Sequence, residues 1–171
     1  MKTFASAAAA LDVSLKELVT DTGVDVLSFG GTKNGAMGAD AVVFFRPELS
    51  KNVKYLRKQL TQLPSKMRYL SAQLEALLID DLWLRNARHA NAMAQKLAEA
   101  VRQVPGVELT QAVEVNAIFA RVPKDRIVPL QQEMFFWPWN EETGEVRWMT
   151  AWDTTEEDIG NFTDLLRKHL S

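Results

Sequence analysis

The chain contains no cysteine, only two histidines and no long apolar run. Without thiols there are no disulfides, no thiolate catalysis and no Cys-based zinc or iron–sulfur site. His89 and His169 stand far apart without a second ligand nearby in sequence, and both read as surface residues. No stretch approaches the roughly 20 apolar residues of a membrane span, and the Ala7–Leu11 run is short and lacks the flanks of a signal peptide. With 20 basic and 22 acidic side chains the net charge is −2, so there is no electrostatic case for nucleic acid or an acidic membrane surface as partner. These absences fit a reducing cytoplasm, where the Asn161-Phe162-Thr163 sequon has no use. What remains is a 171-residue chain, 47% apolar and 25% charged, long enough to bury a core and to form one domain or a little more.

The chain is organised around Val24–Phe29, the turn Gly30-Gly31-Thr32-Lys33-Asn34-Gly35, and Ala39–Phe45. Both flanking runs are apolar with no polar alternation, which predicts buried strands. About nine residues between them are too few for a parallel crossover through a helix, so the strands should be antiparallel or joined tightly across one sheet end. A lysine at the end of a buried strand is costly to desolvate unless its charge is paired or its pKa falls. A lowered pKa yields the neutral amine that forms Schiff bases with carbonyls such as that of pyridoxal phosphate. The same spacing also fits an exposed turn lysine. It does not fit a phosphate-binding P-loop, because Asn34-Gly35 and a strand follow the lysine where Ser or Thr and a helix are required.

Around this stretch the coarse pattern is helical, then mixed. Residues 4–19 read as one helix, or as two broken at Leu11-Asp12-Val13 with Ser14-Leu15-Lys16-Glu17 as a capping box. From Arg46 to Val104 helices are expected over Leu49–Leu63, Lys66–Ile79 (capped by Ser65) and onward from Asp80 or Asp81. In the last of these, Trp83, Ala87, Ala90, Ala94, Leu97 and Val101 form one apolar stripe. Beyond Pro105-Gly106 come strands at Val107–Leu109 and Val113–Val122, a short helix Arg126–Met134, and a hairpin of Phe135–Trp139 with Glu145–Trp152. A capping box at Thr154-Thr155-Glu156-Glu157 opens a final helix over residues 155–169. The tryptophans, four of them within residues 137–152, read as core or dimer contact.

Arg147 lies in an apolar strand, where a charge needs a partner; a planar guanidinium there binds a carboxylate bidentately or else faces solvent from one side of the hairpin. Lys58, Lys66 and Arg68 form a cation cluster that suits a phosphate, although such runs are also ordinary solvated helix faces.

The run Ser28-Phe29-Gly30-Gly31-Thr32-Lys33-Asn34-Gly35-Ala36 resembles the cofactor-lysine segment of the low-specificity L-threonine aldolases, in the aromatic amino-acid β-eliminating lyase and threonine aldolase superfamily. The segment Val146–Trp152 resembles the family's Arg-Leu-Val-Thr-His-type strand, with Trp148 and Ala151 where Leu and His are common. The resemblance runs from about Phe4 to the C-terminus and implies an α/β fold: the C-terminal part of a pyridoxal-phosphate enzyme of fold type I. Two large-domain strands plus helices (residues 1–79) would precede a small α+β domain (80–171). It further implies Lys33 as the catalytic, cofactor-holding lysine, Arg147 as the holder of the substrate carboxylate, and Lys66 and Arg68 near the cofactor phosphate.

The family's Asp-Gly-Ala-Arg motif, whose aspartate pairs with the cofactor's ring nitrogen, would fall at Met1, Lys2 and Thr3 or before them, and it is not in this sequence. The expectation is therefore a fragment of a lyase that cleaves β-hydroxy-α-amino acids to glycine and an aldehyde, inactive alone. It should form a homo-oligomer or need a separate N-terminal half. The alternatives are another enzyme of the same cofactor class, a transaminase or β-eliminating lyase, and a non-catalytic assembly module.

Overall fold

A computed structural model describes residues 4–170. The chain divides into two compact units, the first ending at Arg85 and the second beginning at Asn86.

In the first unit, α1 (Phe4–Leu11) and α2 (Leu15–Val19) are separate helices. Asp12, at φ 51°, breaks them apart. Ser14 restarts the chain with the expected capping box, its hydroxyl accepting from the Glu17 amide and the Glu17 carboxylate accepting from the Ser14 amide. Strands β1 (Val26–Gly30) and β2 (Asp40–Phe44) form an antiparallel pair in register Val26↔Phe44 to Gly30↔Asp40. Neither is buried, contrary to expectation. Val26 and Val42 are 41% and 60% exposed, because among the described residues the pair forms a two-stranded sheet of its own. The helix expected over Leu49–Leu63 shortens to α3 (Val53–Gln59), preceded by a 3₁₀ turn over Pro47–Ser50. α4 (Met67–Leu78) begins without the Ser65 cap: Lys66 occupies the cap position and its side chain makes no capping bond. Asp80 and Asp81, at φ 51° and 53°, carry the chain round the corner into α5 (Leu82–Val101).

The second unit packs α5, α6 (Lys124–Glu133) and α7 (Glu156–Leu170) on one face of an antiparallel sheet. That sheet consists of β3 (Glu108–Leu109), β4 (Ala117–Arg121), β5 (Trp137–Asn140) and β6 (Glu145–Met149), in the order β3-β4-β6-β5. Strand alternation sends Ile118, Ala120, Val146 and Trp148 inward, against Leu97 and Val101 of the predicted α5 stripe and Ile159, Phe162 and Leu166 of α7. The stripe is buried along its whole length. The box that opens α7 sits one residue later than expected, between Thr155 and Asp158; the Thr154 hydroxyl instead accepts from the Ala151 amide. Thr163 of the sequon is buried within α7, its hydroxyl donating to the Ile159 carbonyl. Of the five tryptophans only Trp83 and Trp148 are core, while Trp137, Trp139 and Trp152 are exposed.

His169 is half-buried, its side chain 17% exposed. Its Nε2 lies 2.6 Å from Glu133 Oε1 at the end of α6, and Lys168 Nζ lies 2.9 Å from the same oxygen. These bonds, Lys168 first, hold the Glu133 carboxyl below the usual glutamate range. A depressed carboxylate stabilises the fold above its unfolded pKa, and that contribution is lost as pH falls through the lower, folded value. The melting temperature of the wild type is therefore expected to drop faster than that of Glu133→Gln as pH falls below the usual glutamate range. Parallel curves would show that the clamp adds nothing.

Candidate active site

The turn after β1 is fixed from several sides. Gly31 donates to the Ala39 carbonyl at 2.8 Å, and its own carbonyl accepts from Asn34 at 2.9 Å and Ala36 at 3.1 Å. A Cβ at Gly31 would come within 3.0 Å of Ala36 Cβ and the Ala39 carbonyl and 3.1 Å of Leu77, so only glycine fits without displacement. Gly35, at φ 104°, closes the 3₁₀ turn Thr32–Asn34 in the left-handed region. Asn34 is buried and its amide donates to the Trp83 carbonyl at 2.9 Å. Gln73 of α4 accepts from the amides of Met37 and Gly38 through its Oε1. Lys33, in the middle of the turn, is exposed, as is Thr32 before it. The exposure of Lys33 departs from the expectation of a lysine at the end of a buried strand.

Lys66 and Arg68 lie together at the start of α4, exposed, with the Arg68 guanidinium 5.3 Å from the Tyr69 ring centre. Lys58, in the last turn of α3, is exposed as well. Arg147 belongs to the second unit, opposite Phe119 of β4 and Trp137 of β5. On the sheet face turned away from the helices, its guanidinium stacks 5.1 Å from the Trp139 ring centre, and Trp139 meets Phe119 edge-to-face at 5.1 Å. Arg147 is half-buried, and its Nε is buried without an acceptor among the described residues. A buried charged donor without an acceptor is costly, and a ligand carboxylate is the acceptor whose geometry matches the guanidinium edge.

The beta-eliminating lyase family profile matches residues 3–124, a span that includes the whole Lys33 turn. The chain belongs to the beta-eliminating lyase family. Within it, the chain is 39% identical over 168 residues to a low-specificity L-threonine aldolase of a Pseudomonas species, covering 98% of this chain and 49% of that protein. It is 44% identical over 157 residues to the low-specificity L-threonine aldolase of Pseudomonas aeruginosa, covering 91% of this chain and 45% of that one. The solved threonine aldolase of Leishmania major superposes with a TM-score of 0.82 at 26% identity, over 98% of this chain and 49% of that one. The chain thus spans about half the length of the curated relatives it matches. Its architecture is that of part of a fold-type I pyridoxal-phosphate enzyme, as the resemblance implies.

Reading the sequence alone did not single out Asn34, Gln73 or Trp139. Asn34-Gly35 carried a local signal, since Asn-Gly marks a tight turn. Trp139 carried another, because within a hairpin it shares a face with Arg147 by period-two alternation. Gln73 is 36 residues from the amide it holds and offers no local signal.

Proposed function

We propose that this chain is the lysine-bearing part of a threonine-aldolase-type lyase, whose whole form cleaves the Cα–Cβ bond of L-threonine or a similar β-hydroxy-α-amino acid to glycine and an aldehyde. The observation that carries the reading is the Lys33 turn. An exposed primary amine projects from backbone that Gly31, Asn34 and Gly35 hold fixed, and this suits covalent attachment of an aldehyde cofactor. Pyridoxal phosphate, when bound, supplies the electron sink that lets a bond to the α-carbon break. Lys33 would hold it, and Lys66 and Arg68 are the cations proposed for its phosphate. Arg147 would bind the substrate carboxylate through the edge that ends in its unpartnered Nε, with the guanidinium plane set by Trp139. In this reading the first unit is the cofactor-binding part and the second the small domain, and completion comes from a separate N-terminal half or from homo-oligomerisation.

Because the chain spans about half of its relatives' length, and the positions of the ring-nitrogen motif lie at or before residues 1–3, outside the described residues, the chain alone is expected to bind without turning over. The test is to incubate it with pyridoxal phosphate, reduce with borohydride, map the labelled peptide and assay glycine release from L-threonine in parallel. Label confined to Lys33 with no glycine is the expected result. Label scattered over surface lysines would overturn the site. Glycine release by the chain alone would overturn the claim that it is incomplete. In a completed enzyme, keto-acid products in place of glycine and aldehyde would favour the transaminase or β-eliminating alternative.

A further inference from the structure

We propose that Asn34-Gly35 is a self-modification site: the Gly35 amide nitrogen displaces ammonia from the Asn34 side chain, and the carboxylate left after hydrolysis switches off the Lys33 amine. The site itself rests on the chemistry and geometry of the turn. Only its effect on Lys33 rests on the function proposed above, so the two can fail separately.

The sequence holds seven asparagines, and Asn34 is the one followed by glycine. Cyclisation at asparagine requires the next residue's amide nitrogen to reach the side-chain carbonyl carbon, and a Cβ on that residue obstructs the approach. Gly35 has none. It stands exposed at φ 104°, and its amide meets the Thr32 carbonyl at 3.4 Å, longer than an ordinary bond of this kind. The nucleophile is thus loosely held on an exposed residue. The other reactant is gripped: Asn34 is buried, and its Nδ2 donates to the Trp83 carbonyl at 2.9 Å. That bond keeps the carboxamide in place, so the reaction waits on its opening. The turn joins two strands that form a sheet of their own among the described residues, and a lone hairpin is marginal in water. Its opening therefore belongs to the low end of local stabilities.

The atoms balance with water as the only co-reactant. The Gly35 amide gives its proton to hydroxide, its nitrogen bonds to Asn34 Cγ, and the Cγ–Nδ2 bond breaks, with Nδ2 leaving as ammonia after protonation by water. Water then opens the five-membered imide at either carbonyl, and nothing is oxidised or reduced. One opening leaves an ordinary aspartate; the other leaves isoaspartate, with the backbone routed through the side chain. Either product removes the donor to Trp83 and sets a carboxylate against that carbonyl at a buried position, which is costly. Isoaspartate also lengthens the backbone of the turn. The new charge lies beside Lys33 in the chain, and a neighbouring anion favours the ammonium over the neutral amine that attacks an aldehyde. Both effects act against attachment.

The experiment ages the chain at mildly alkaline pH and maps its peptides by mass spectrometry, with isoaspartate detected by enzymatic methylation. At each time point the borohydride-fixed pyridoxal phosphate on Lys33 is measured as well. Asn34 is expected to convert before the other six asparagines, faster as pH rises, and about tenfold or more faster in urea that opens the turn. Label on Lys33 should fall in step with the converted fraction. Asn34→Asp carries the first product from the start and should take up about tenfold less label than the wild type. The aged wild type gives the same readout without a substitution, so a variant that fails to fold does not decide the matter. Asn34 left intact in the folded chain, or another asparagine converting first, overturns the site. Conversion with full labelling overturns the switch. A fresh chain that takes no label at Lys33 removes the proposed function and the switch with it, and leaves conversion at Asn34 standing.

Discussion

Replacing Lys33 with alanine is expected to abolish the borohydride-fixed label, taking it from about one per chain to background, because attachment requires that amine and no substitute stands in the turn. The chain has ten lysines, so selectivity has to come from structure. Several of the others are engaged: Lys16 with Asp21 at 2.5 Å, Lys168 with Glu133 at 2.9 Å, Lys96 with Glu156, and Lys54 over the Tyr55 ring. Lys33 makes no ion pair among the described residues, and the turn around it is held by the Gly31 amide donating to Ala39 and the Asn34 side chain donating to Trp83. Fixing the backbone lowers the entropy lost when a ligand is attached. Lys33→Arg keeps the charge and cannot form the bond, so it should be as unlabelled as Lys33→Ala while melting like the wild type. Alanine at Lys66 or Arg68 should leave the label on Lys33 and raise the concentration of pyridoxal phosphate needed to saturate it. If instead these two variants abolish labelling and Lys33→Ala does not, the assignment of roles in the first unit is reversed.

The hairpin that bears Lys33 was legible because glycine punctuates it and too few residues separate its strands for a parallel crossover through a helix. Its burial was misjudged for a physical reason. An unbroken apolar run is the pattern of a strand covered on both faces, and among the described residues the pair has no neighbouring strand. The α5 stripe was read correctly because its partners, Ile118, Val146 and Leu166, lie within the second unit. Helix ends fared worse. The 3₁₀ turn at Pro47–Ser50 delayed α3, and Thr61, at φ 57°, follows its early end. Such backbone reversals at non-glycine residues have little sequence signature. At Arg147 the residue type suggested a carboxylate partner, but the stacking of Trp139 and the missing acceptor at Nε depend on hairpin register, with its irregularity between Pro138 and Asn140.

Truncating Trp148 to alanine is expected to cost the second unit about 3–5 kcal/mol, a large part of the roughly 5–15 kcal/mol that holds a typical domain folded. Trp148 is 3% exposed and meets Phe162 edge-to-face at 5.1 Å and Phe136 at 6.2 Å. It also lines an open cleft of about 340 Å³ beside α7, which its removal would enlarge. Its indole N–H is buried without an acceptor among the described residues, a defect worth about 1–3 kcal/mol. Trp148→Phe therefore exchanges two terms of opposite sign: it loses ring atoms and contacts, and it removes the stranded donor. The net change should fall within about 1 kcal/mol of zero, whereas alanine gives up the contacts and leaves a hole. Urea unfolding followed through amide exchange in β4 and α7 separates the two, with a shifted midpoint and unchanged slope for the alanine variant. Equal losses for both variants would mean that the N–H has a partner in solution and that its bond, more than the ring packing, holds this face of the sheet.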